Sequence, residues 1–151
     1  MTEGDPAAGG GSGCAVVAEI RDSELSVDEV LRAVRTEHIG AVVLFVGQVR
    51  SVDAGRTVEV LEYSCHPSAR QVATDLVAGL AVAGHVVRIA VTHRVGRLPV
   101  GEIAVVAAVG ASHRAEAFEV CRTLVDRFKA EVPIWKHQVF TDGSQEWVGM
   151  P

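Results

Sequence analysis

The alternation of apolar and polar positions along the chain predicts strands and helices in turn. Val-rich apolar runs bounded by turn residues are typical of strands. The longest run, GAVVLFVGQVR at 40–50, predicts a buried strand that becomes polar at its end. SVDAG at 51–55 predicts the turn of a β-hairpin. The predicted strands are 14–20, 40–50, 56–65, 85–96, 101–112 and two short ones around the Thr-Asp-Gly-Ser turn after Pro133.

Three segments have apolar residues at the spacing of amphipathic helices. In the first, Ser26 is followed three residues later by Glu29, a capping-box pattern that marks a helix start. In the second, Pro67 suits a first helical turn and Gly84 suits a helix end. In the third, Ser112 can cap the start. The predicted helices are 27–36, Pro67 to Gly84, and Ser112 to Pro133.

The order of these elements indicates an α+β fold or mixed sandwich. A chain of 151 residues has the usual length of one domain. Residues 1–13 contain Gly, Ala and Pro without apolar periodicity, which predicts a disordered tail. We therefore expect a single domain over 14–151.

Composition and charge narrow the class of protein. With 48% hydrophobic and 22% charged residues the chain can bury a substantial core. The acidic excess lies in residues 1–40, and the rest is balanced, which argues against non-specific nucleic-acid binding but leaves room for a local anion pocket. Since there is neither a secretory signal nor an apolar run long enough for a membrane span, we expect a cytoplasmic protein.

The three cysteines, Cys14, Cys65 and Cys121, are an odd number without CxxC spacing. This fits neither a disulfide framework nor a structural zinc site, so we expect reduced thiols and no metal. Cys65 beside His66 is a conceivable nucleophile, but adjacent residues of a strand face opposite sides. A buried or incidental cysteine is the favoured interpretation.

Lysine is scarce: of the 14 cationic side chains only Lys129 and Lys136 are Lys, and the other twelve are Arg. Codon bias explains that split as well as selection does. Lysine suits covalent or acid–base chemistry where burial or a second cation makes its amine easier to deprotonate. Two lysines close together late in the chain are therefore candidates for such a role.

Four segments of the chain are more polar than their place beside apolar strands and helices requires. His113 and Arg114 lie at a predicted helix start, where free N–H groups and the helix dipole favour an anion such as phosphate or carboxylate. The alternative is that Arg114 pairs with Glu116 or another acid and binds no ligand. The four polar segments are Gln48 to Arg50, His93-Arg94, Ser112 to Arg114, and Lys129 through Lys136 to Gln138.

Several of these segments occur together in one known family. GAVVLFVGQVR, THRVGRLPVGE, SHRAEAFEVCRTLVDRFKAEVPIWKHQ and the closing W-V resemble the large, catalytic subunits of molybdopterin synthases, the MoaE family. The most specific motifs are K-x-x-x-P-x-W-K and the S-H-R helix start, and the resemblance covers about residues 14–149. It implies an α+β fold like the α/β-hammerhead of that subunit, with a mixed or antiparallel sheet and about three helices.

The resemblance also implies an activity. Members of this family are sulfurtransferases that add two sulfurs to cyclic pyranopterin monophosphate, giving the dithiolene of molybdopterin. The sulfur arrives as a thiocarboxylate on the C-terminal glycine of a small ubiquitin-like subunit. Two large subunits form a central homodimer with a small subunit at each end, a heterotetramer, and no metal or further cofactor is implied.

Carried over by position, the resemblance implies specific site residues. The family's two essential lysines fall on Lys129 and Lys136. Gln48 stands where relatives often have Lys, and His137 where they often have Arg. We also expect no C-terminal extension of the kind that some relatives use near the active site. The implied substrate-binding residues are Gln48, Val49, Arg50, His113, Arg114, Lys136, His137 and Gln138.

Helix geometry tests this assignment. Arg114 and Lys129 belong to one predicted helix, in which 15 residues correspond to about 22 Å. One small pterin cannot span that distance. If both residues touch the same substrate, we expect them to come from different protomers, so that the pocket is shared across a twofold dimer interface.

Two other functions compete with sulfur transfer. The first is a lysine-dependent lyase that forms a Schiff base with a carbonyl substrate, which borohydride would trap and which needs no protein partner. The second is a non-enzymatic scaffold that docks a ubiquitin-like tail in an apolar groove. It would still bind that tail with both lysines replaced by Ala.

Overall fold

The structure of the chain is a computed structural model that describes residues 16–81 and 87–149. The predicted tail at 1–13, the start of the first strand, the helix end at Gly84 and the start of the strand at 85–96 lie outside the described residues. The α+β class and the three helices predicted from the sequence are confirmed. The elements are β1 (Val16–Arg21), α1 (Val27–Val34), β2 (Ala41–Gln48), β3 (Val52–Asp53), β4 (Arg56–Cys65), α2 (Ala69–Leu80), β5 (Val87–Arg94), β6 (Gly96–Leu98), β7 (Ile103–Ala111), α3 (Arg114–Glu131), β8 (Ile134–Phe140) and β9 (Gln145–Val148).

The first sheet has the strand order β1-β5-β7-β2 and carries helices on both faces. Only β1 and β5 are parallel, and the other pairs are antiparallel. Helix α1 packs on one face through Val30 and Val34, whereas α2 and α3 pack on the other through residues such as Val77 and Leu124. The central strands β5 and β7 are therefore buried on both sides.

The second sheet has the order β3-β4-β8-β9, with β6 paired to β4 as well. Its apolar face packs against the ends of β2 and β7, where Val49 and Ala104 meet Leu61, Leu98 and Phe140. Helix α3 runs from the end of β7 to the start of β8 and so connects the two sheets. This junction is where the candidate site lies.

Two details of the strand prediction are wrong. Strand β2 is not buried throughout but lies at the edge of the first sheet, and its central residues Leu44, Phe45 and Val46 are 37–39% exposed. The strand predicted at 85–96 ends at Arg94, and Gly96–Leu98, predicted mostly as a turn, form β6, because Gly96 adopts φ 97° and turns the chain so that β6 pairs with β4 in the other sheet. Hydropathy alone reports neither an exposed edge nor a change of sheet.

The cysteines behave as the sequence predicts where the structure describes them. Cys65 and Cys121 are free thiols, and burial raises the pKa of Cys121. Cys65 packs partly buried against the core, and the neighbouring His66 ring contacts Ser68 instead. Within the described ranges no helix is long and apolar enough to cross a membrane.

Two glycines give opposite expectations for stability. A Cβ at Gly110 would lie 2.7 Å from the carbonyl oxygen of Val34, whereas a Cβ at Gly79 would have no atom within 4 Å. We expect Gly110→Ala to lower the free energy of unfolding by about 2 kcal/mol, because backbone must move. Gly79→Ala should raise it by roughly 0.5 kcal/mol, since it removes freedom from the unfolded chain. Urea unfolding of both variants measures the difference, and equal effects would contradict it.

Candidate active site

A cavity of about 360 Å³ lies between the two sheets at the C-terminal end of α3. Its walls are largely apolar, and five of the polar residues identified in the sequence line it, namely Gln48, Arg50, His93, Lys129 and Lys136. They come from five separate segments: the end of β2, the turn after it, the end of β5, the last turn of α3, and β8. Both lysines of the chain thus border one cavity.

The register of the second sheet turns Lys136 toward the cavity. Lys136 pairs with Tyr63 of β4 on one side and Val148 of β9 on the other, and all three residues line the cavity. Directly paired residues of antiparallel strands point to the same face. Lys136 is therefore held on an ordered, partly buried surface rather than on a loop.

Lys129 reaches the same cavity from α3. Leu124 and Phe128 anchor the last turns of this helix in the core, which places the exposed Lys129 at the rim. Val132 then ends the helix in an extended conformation, and Pro133 leads into β8. The short connection brings the lysine-bearing ends of α3 and β8 together.

A hydrogen bond and an ion pair connect β8 to Arg50 through Asp53. The buried side chain of Gln138 donates a hydrogen bond of 2.8 Å to Asp53, whose other carboxylate oxygen lies 3.6 Å from the guanidinium of Arg50. The Gln138 bond, followed by nearby cations including Lys136, lowers the pKa of the Asp53 carboxyl. Asp53 was predicted only as part of a turn, although an acid three residues after Arg50 was a signal for this contact.

Three of the substrate-binding residues implied by the resemblance point elsewhere in this chain. Val49 is buried in the core, and its backbone N–H and C=O bond to Glu102 and Gly101. His137 faces the side opposite Lys136, stacks on Trp147 with ring centroids 4.3 Å apart, and contacts Gln145. Gln138 bonds to Asp53 as described. Within one protomer none of these three residues lines the cavity.

His113 and Arg114 lie at the other end of α3. The N-cap residue is His113, not the expected Ser112, because the chain stays extended for one residue more after β7. Both side chains are exposed, and neither lines the cavity. Since α3 is one continuous helix from Arg114 to Glu131, the separation of about 22 Å from Arg114 to Lys129 holds.

An aromatic cluster under the lysines was not predicted. The buried His93 ring lies edge-on to Tyr63, with centroids 4.9 Å apart, and stacks on Phe128 at 5.9 Å. Burial lowers the pKa of His93 from 6.5 to about 4 and raises that of Tyr63. Both side chains are therefore neutral near pH 7. A single His inside an apolar strand was the available signal.

The low pKa of His93 predicts that the free energy of unfolding depends on pH. Between pH 6.5 and 4 the unfolded chain binds a proton at this residue and the folded chain does not, so acid favours unfolding. We expect the free energy of unfolding to lose about 3 kcal/mol from this group as the pH falls through that window. In His93→Phe the free energy of unfolding should fall less over the same pH range, because the contribution of His93 is absent. Urea unfolding of both proteins at several pH values measures it, and parallel profiles would contradict it.

Comparison with known proteins identifies the family. The family model described as MoaE protein matches residues 20–131. This chain belongs to the MoaE protein family. The matched MoaE segment includes Lys129 and ends before Lys136, whose place in the cavity follows from the register of β8.

Relatives and solved structures agree with this assignment. The chain is 42% identical over 131 residues to molybdopterin synthase catalytic subunit 1 of Mycobacterium tuberculosis, covering 86% of this chain and 88% of the relative. It is 38% identical over 127 residues to the molybdopterin synthase catalytic subunit of Homo sapiens, covering 83% and 67%. The crystal structure of molybdopterin synthase from Staphylococcus aureus superposes with a TM-score of 0.79 at 30% identity, covering 87% of this chain and 96% of that one.

Proposed function

We propose that this chain is the catalytic subunit of a molybdopterin synthase. In this role it is a sulfurtransferase that moves sulfur from the thiocarboxylated C-terminus of a small ubiquitin-like subunit to cyclic pyranopterin monophosphate. The observation that carries the proposal is that the only two lysines of the chain border one cavity from separate elements of a MoaE fold. The names of the relatives, catalytic subunits of molybdopterin synthase, support the same activity.

The cavity supplies the charges that this reaction needs. Thiocarboxylate and phosphate are anions, and Arg50, Lys129 and Lys136 can bind them through charge-assisted hydrogen bonds. The thiocarboxylate sulfur bonds to a substrate carbon while a C–O bond of that carbon breaks and the departing oxygen takes up a proton, and water then adds to the carbonyl carbon. When the tetrahedral intermediate collapses, the carbonyl C–S bond breaks, leaving sulfur on the pterin and a carboxylate on the tail. The lysines stabilise the oxyanion and transfer the protons.

The complete pocket includes residues of a second copy of the chain. His113 and Arg114 are too far from Lys129 along α3 to reach the same substrate within one protomer. Exposed apolar side chains lie on both surfaces that have to meet: Leu44, Phe45 and Val46 on the edge strand β2, and Phe118, 63% exposed, one turn after Arg114. A twofold contact between these surfaces buries them and brings an anion-binding helix start to the partner's lysines.

The proposed activity is tested by reconstitution. The purified chain is mixed with a thiocarboxylated small subunit and cyclic pyranopterin monophosphate, and the product is oxidised to its fluorescent derivative. We expect dithiolene product, and none when the partner ends in an ordinary carboxylate. Turnover that needs no small subunit, together with covalent trapping by borohydride, would instead indicate the Schiff-base lyase. Binding of the small subunit without turnover would indicate the docking scaffold.

Other expectations from the sequence stay predictions. No group of three or more His, Cys, Asp or Glu side chains in the described part of the chain could hold a metal ion. We propose that the reaction uses no resident metal or cofactor, with the pterin as substrate and the thiocarboxylate as sulfur donor. A cytoplasmic location likewise stays a prediction.

A further inference from the structure

His93 lies at the base of the cavity, where the two lysine-bearing elements meet. It occupies the end of β5 and lines the cavity together with Lys129 and Lys136. One face of its ring stacks on Phe128, the residue before Lys129, and Tyr63, the strand partner of Lys136, meets it edge-on. The imidazole is therefore held in one orientation by packing on both elements.

The hydrogen bond of the ring fixes its tautomer. Nδ1 lies 2.7 Å from the backbone carbonyl oxygen of Arg94, which can only accept, so Nδ1 carries the hydrogen. Because the buried ring is neutral near pH 7, Nε2 has a free lone pair. The cavity thus contains a rigid, uncharged hydrogen-bond acceptor.

Side-chain groups that only accept hydrogen bonds are scarce in this cavity. Its cationic side chains, Arg50, Lys129 and Lys136, are all donors, and among the described residues that line it none has a carboxylate. The amide of Gln48 and the hydroxyl of Tyr63 can also accept, but Gln48 is exposed at the end of β2 and the Tyr63 hydroxyl is a donor as well. A reduced pterin carries several ring N–H groups that lose their water when they enter an apolar cavity and need an acceptor there.

We propose that His93 is a further substrate-binding residue, whose Nε2 accepts a hydrogen bond from a ring N–H of the pterin. The cations then bind the phosphate and the thiocarboxylate, while His93 orients the ring system between them. This inference rests on the proposed function, because it takes the cyclic pterin as the substrate. It assigns His93 to binding and orientation, and assigns proton transfer to the lysines.

Three substitutions of His93 distinguish the contribution of the Nε2 acceptor to pterin binding from the contribution of the packed ring. His93→Phe keeps a flat ring between Tyr63 and Phe128 but has no acceptor. His93→Gln can place its amide oxygen near the position of Nε2, whereas the shorter side chain of His93→Asn reaches only the position of Nδ1. The Kd of cyclic pyranopterin monophosphate is measured by calorimetry without the small subunit, and kcat and KM are measured in the reconstituted enzyme.

We expect His93→Phe and His93→Asn to raise Kd and KM about tenfold, as for the loss of one buried hydrogen bond, with kcat changed less than about twofold. His93→Gln should recover most of the affinity. Thermal unfolding identifies any variant that fails to fold. If His93→Phe fails to fold, His93→Gln and His93→Asn still form a matched pair that tests the acceptor.

The outcomes distinguish this inference from the proposed function. Unchanged Kd in His93→Phe, or equal affinities for His93→Gln and His93→Asn, would overturn the role of Nε2 while the sulfurtransferase stands. If the wild-type chain binds the pterin in a His93-dependent manner but makes no dithiolene, the proposed function fails and the contact stands. If the wild type binds no cyclic pterin, both fail.

Discussion

Lys136→Arg is expected to reduce kcat for dithiolene formation by about a hundredfold or more, the usual size of a lost general acid–base contribution. Arginine keeps the positive charge and the reach, but it does not release a proton near neutral pH. Since Lys136 lies on an ordered strand beside Tyr63 and Val148, the larger head group should remain in the cavity. The measurement is kcat and KM for the cyclic pterin with a thiocarboxylated small subunit.

The matched controls for this substitution lie on the same chain. Arg122→Lys changes the same pair of residue types on the exposed surface of α3, where Arg122 pairs with Asp126 at 3.8 Å, and should leave kcat unchanged. Lys136→Ala removes charge and proton together and sets the lower limit of activity. Near-normal turnover by Lys136→Arg would rule out proton transfer at this position and leave Lys136 an electrostatic role only.

Mixed dimers are expected to regain activity that both parent variants have lost. One variant carries His113→Ala and Arg114→Ala, and the other carries Lys129→Ala and Lys136→Ala. In a shared pocket each parent dimer has two defective sites, whereas a mixed dimer has one complete site and one doubly defective site. Co-expressed chains with two different tags, purified through both, should therefore show about half of the wild-type activity per dimer.

The control for this experiment is a mixed dimer of wild-type chains with the same two tags, which sets full activity. A dimer in which both chains carry Lys129→Ala and Lys136→Ala, each with a different tag, sets the background activity. If each pocket were built within one protomer, both sites of the mixed dimer would be defective. One site would lack the His113 and Arg114 side chains, and the other would lack the two lysines. Activity at the background level would thus contradict the shared pocket.

The local elements of this fold follow from the sequence because their signals are local. The hydroxyl of Ser26 accepts a hydrogen bond of 3.2 Å from the backbone N–H of Glu29, as the capping-box pattern predicts. The hairpin differs from the prediction: β4 pairs with β3, which lies inside the segment predicted as the turn, because the strand predicted at 40–50 pairs with β7 in the other sheet. The first helix ends at Val34, two residues before the predicted end, because Arg35 is already extended.

Local sequence patterns did not predict the order and register of the strands. Strand β2 is as apolar as a central strand, yet its outer edge has no strand partner among the residues that the structure describes. Periodicity likewise did not give the register that pairs Lys136 with Tyr63, since register depends on both strands at once. The scarcity of lysine made Lys129 and Lys136 candidates, the resemblance assigned them an essential role, and the structure adds that they border one cavity.

The supporting residues were the least visible in the sequence. Asp53 contacts Gln138 across the sheet, and His93 contacts Tyr63 and Phe128 from two other elements. Such contacts join residues far apart in the chain, so no motif of one segment contains them. They became visible only when the fold brought β4, β5, β8 and α3 to one junction.

The most direct test of sulfur transfer is to follow the sulfur itself. The small subunit is prepared with a thiocarboxylate labelled with heavy sulfur and incubated with the purified chain and unlabelled cyclic pyranopterin monophosphate, and the alkylated dithiolene is analysed by mass spectrometry. We expect both sulfurs of the product to carry the label and the small subunit to end as a carboxylate. Unlabelled product, or a small subunit that keeps its thiocarboxylate while the pterin is consumed, would contradict the proposed function.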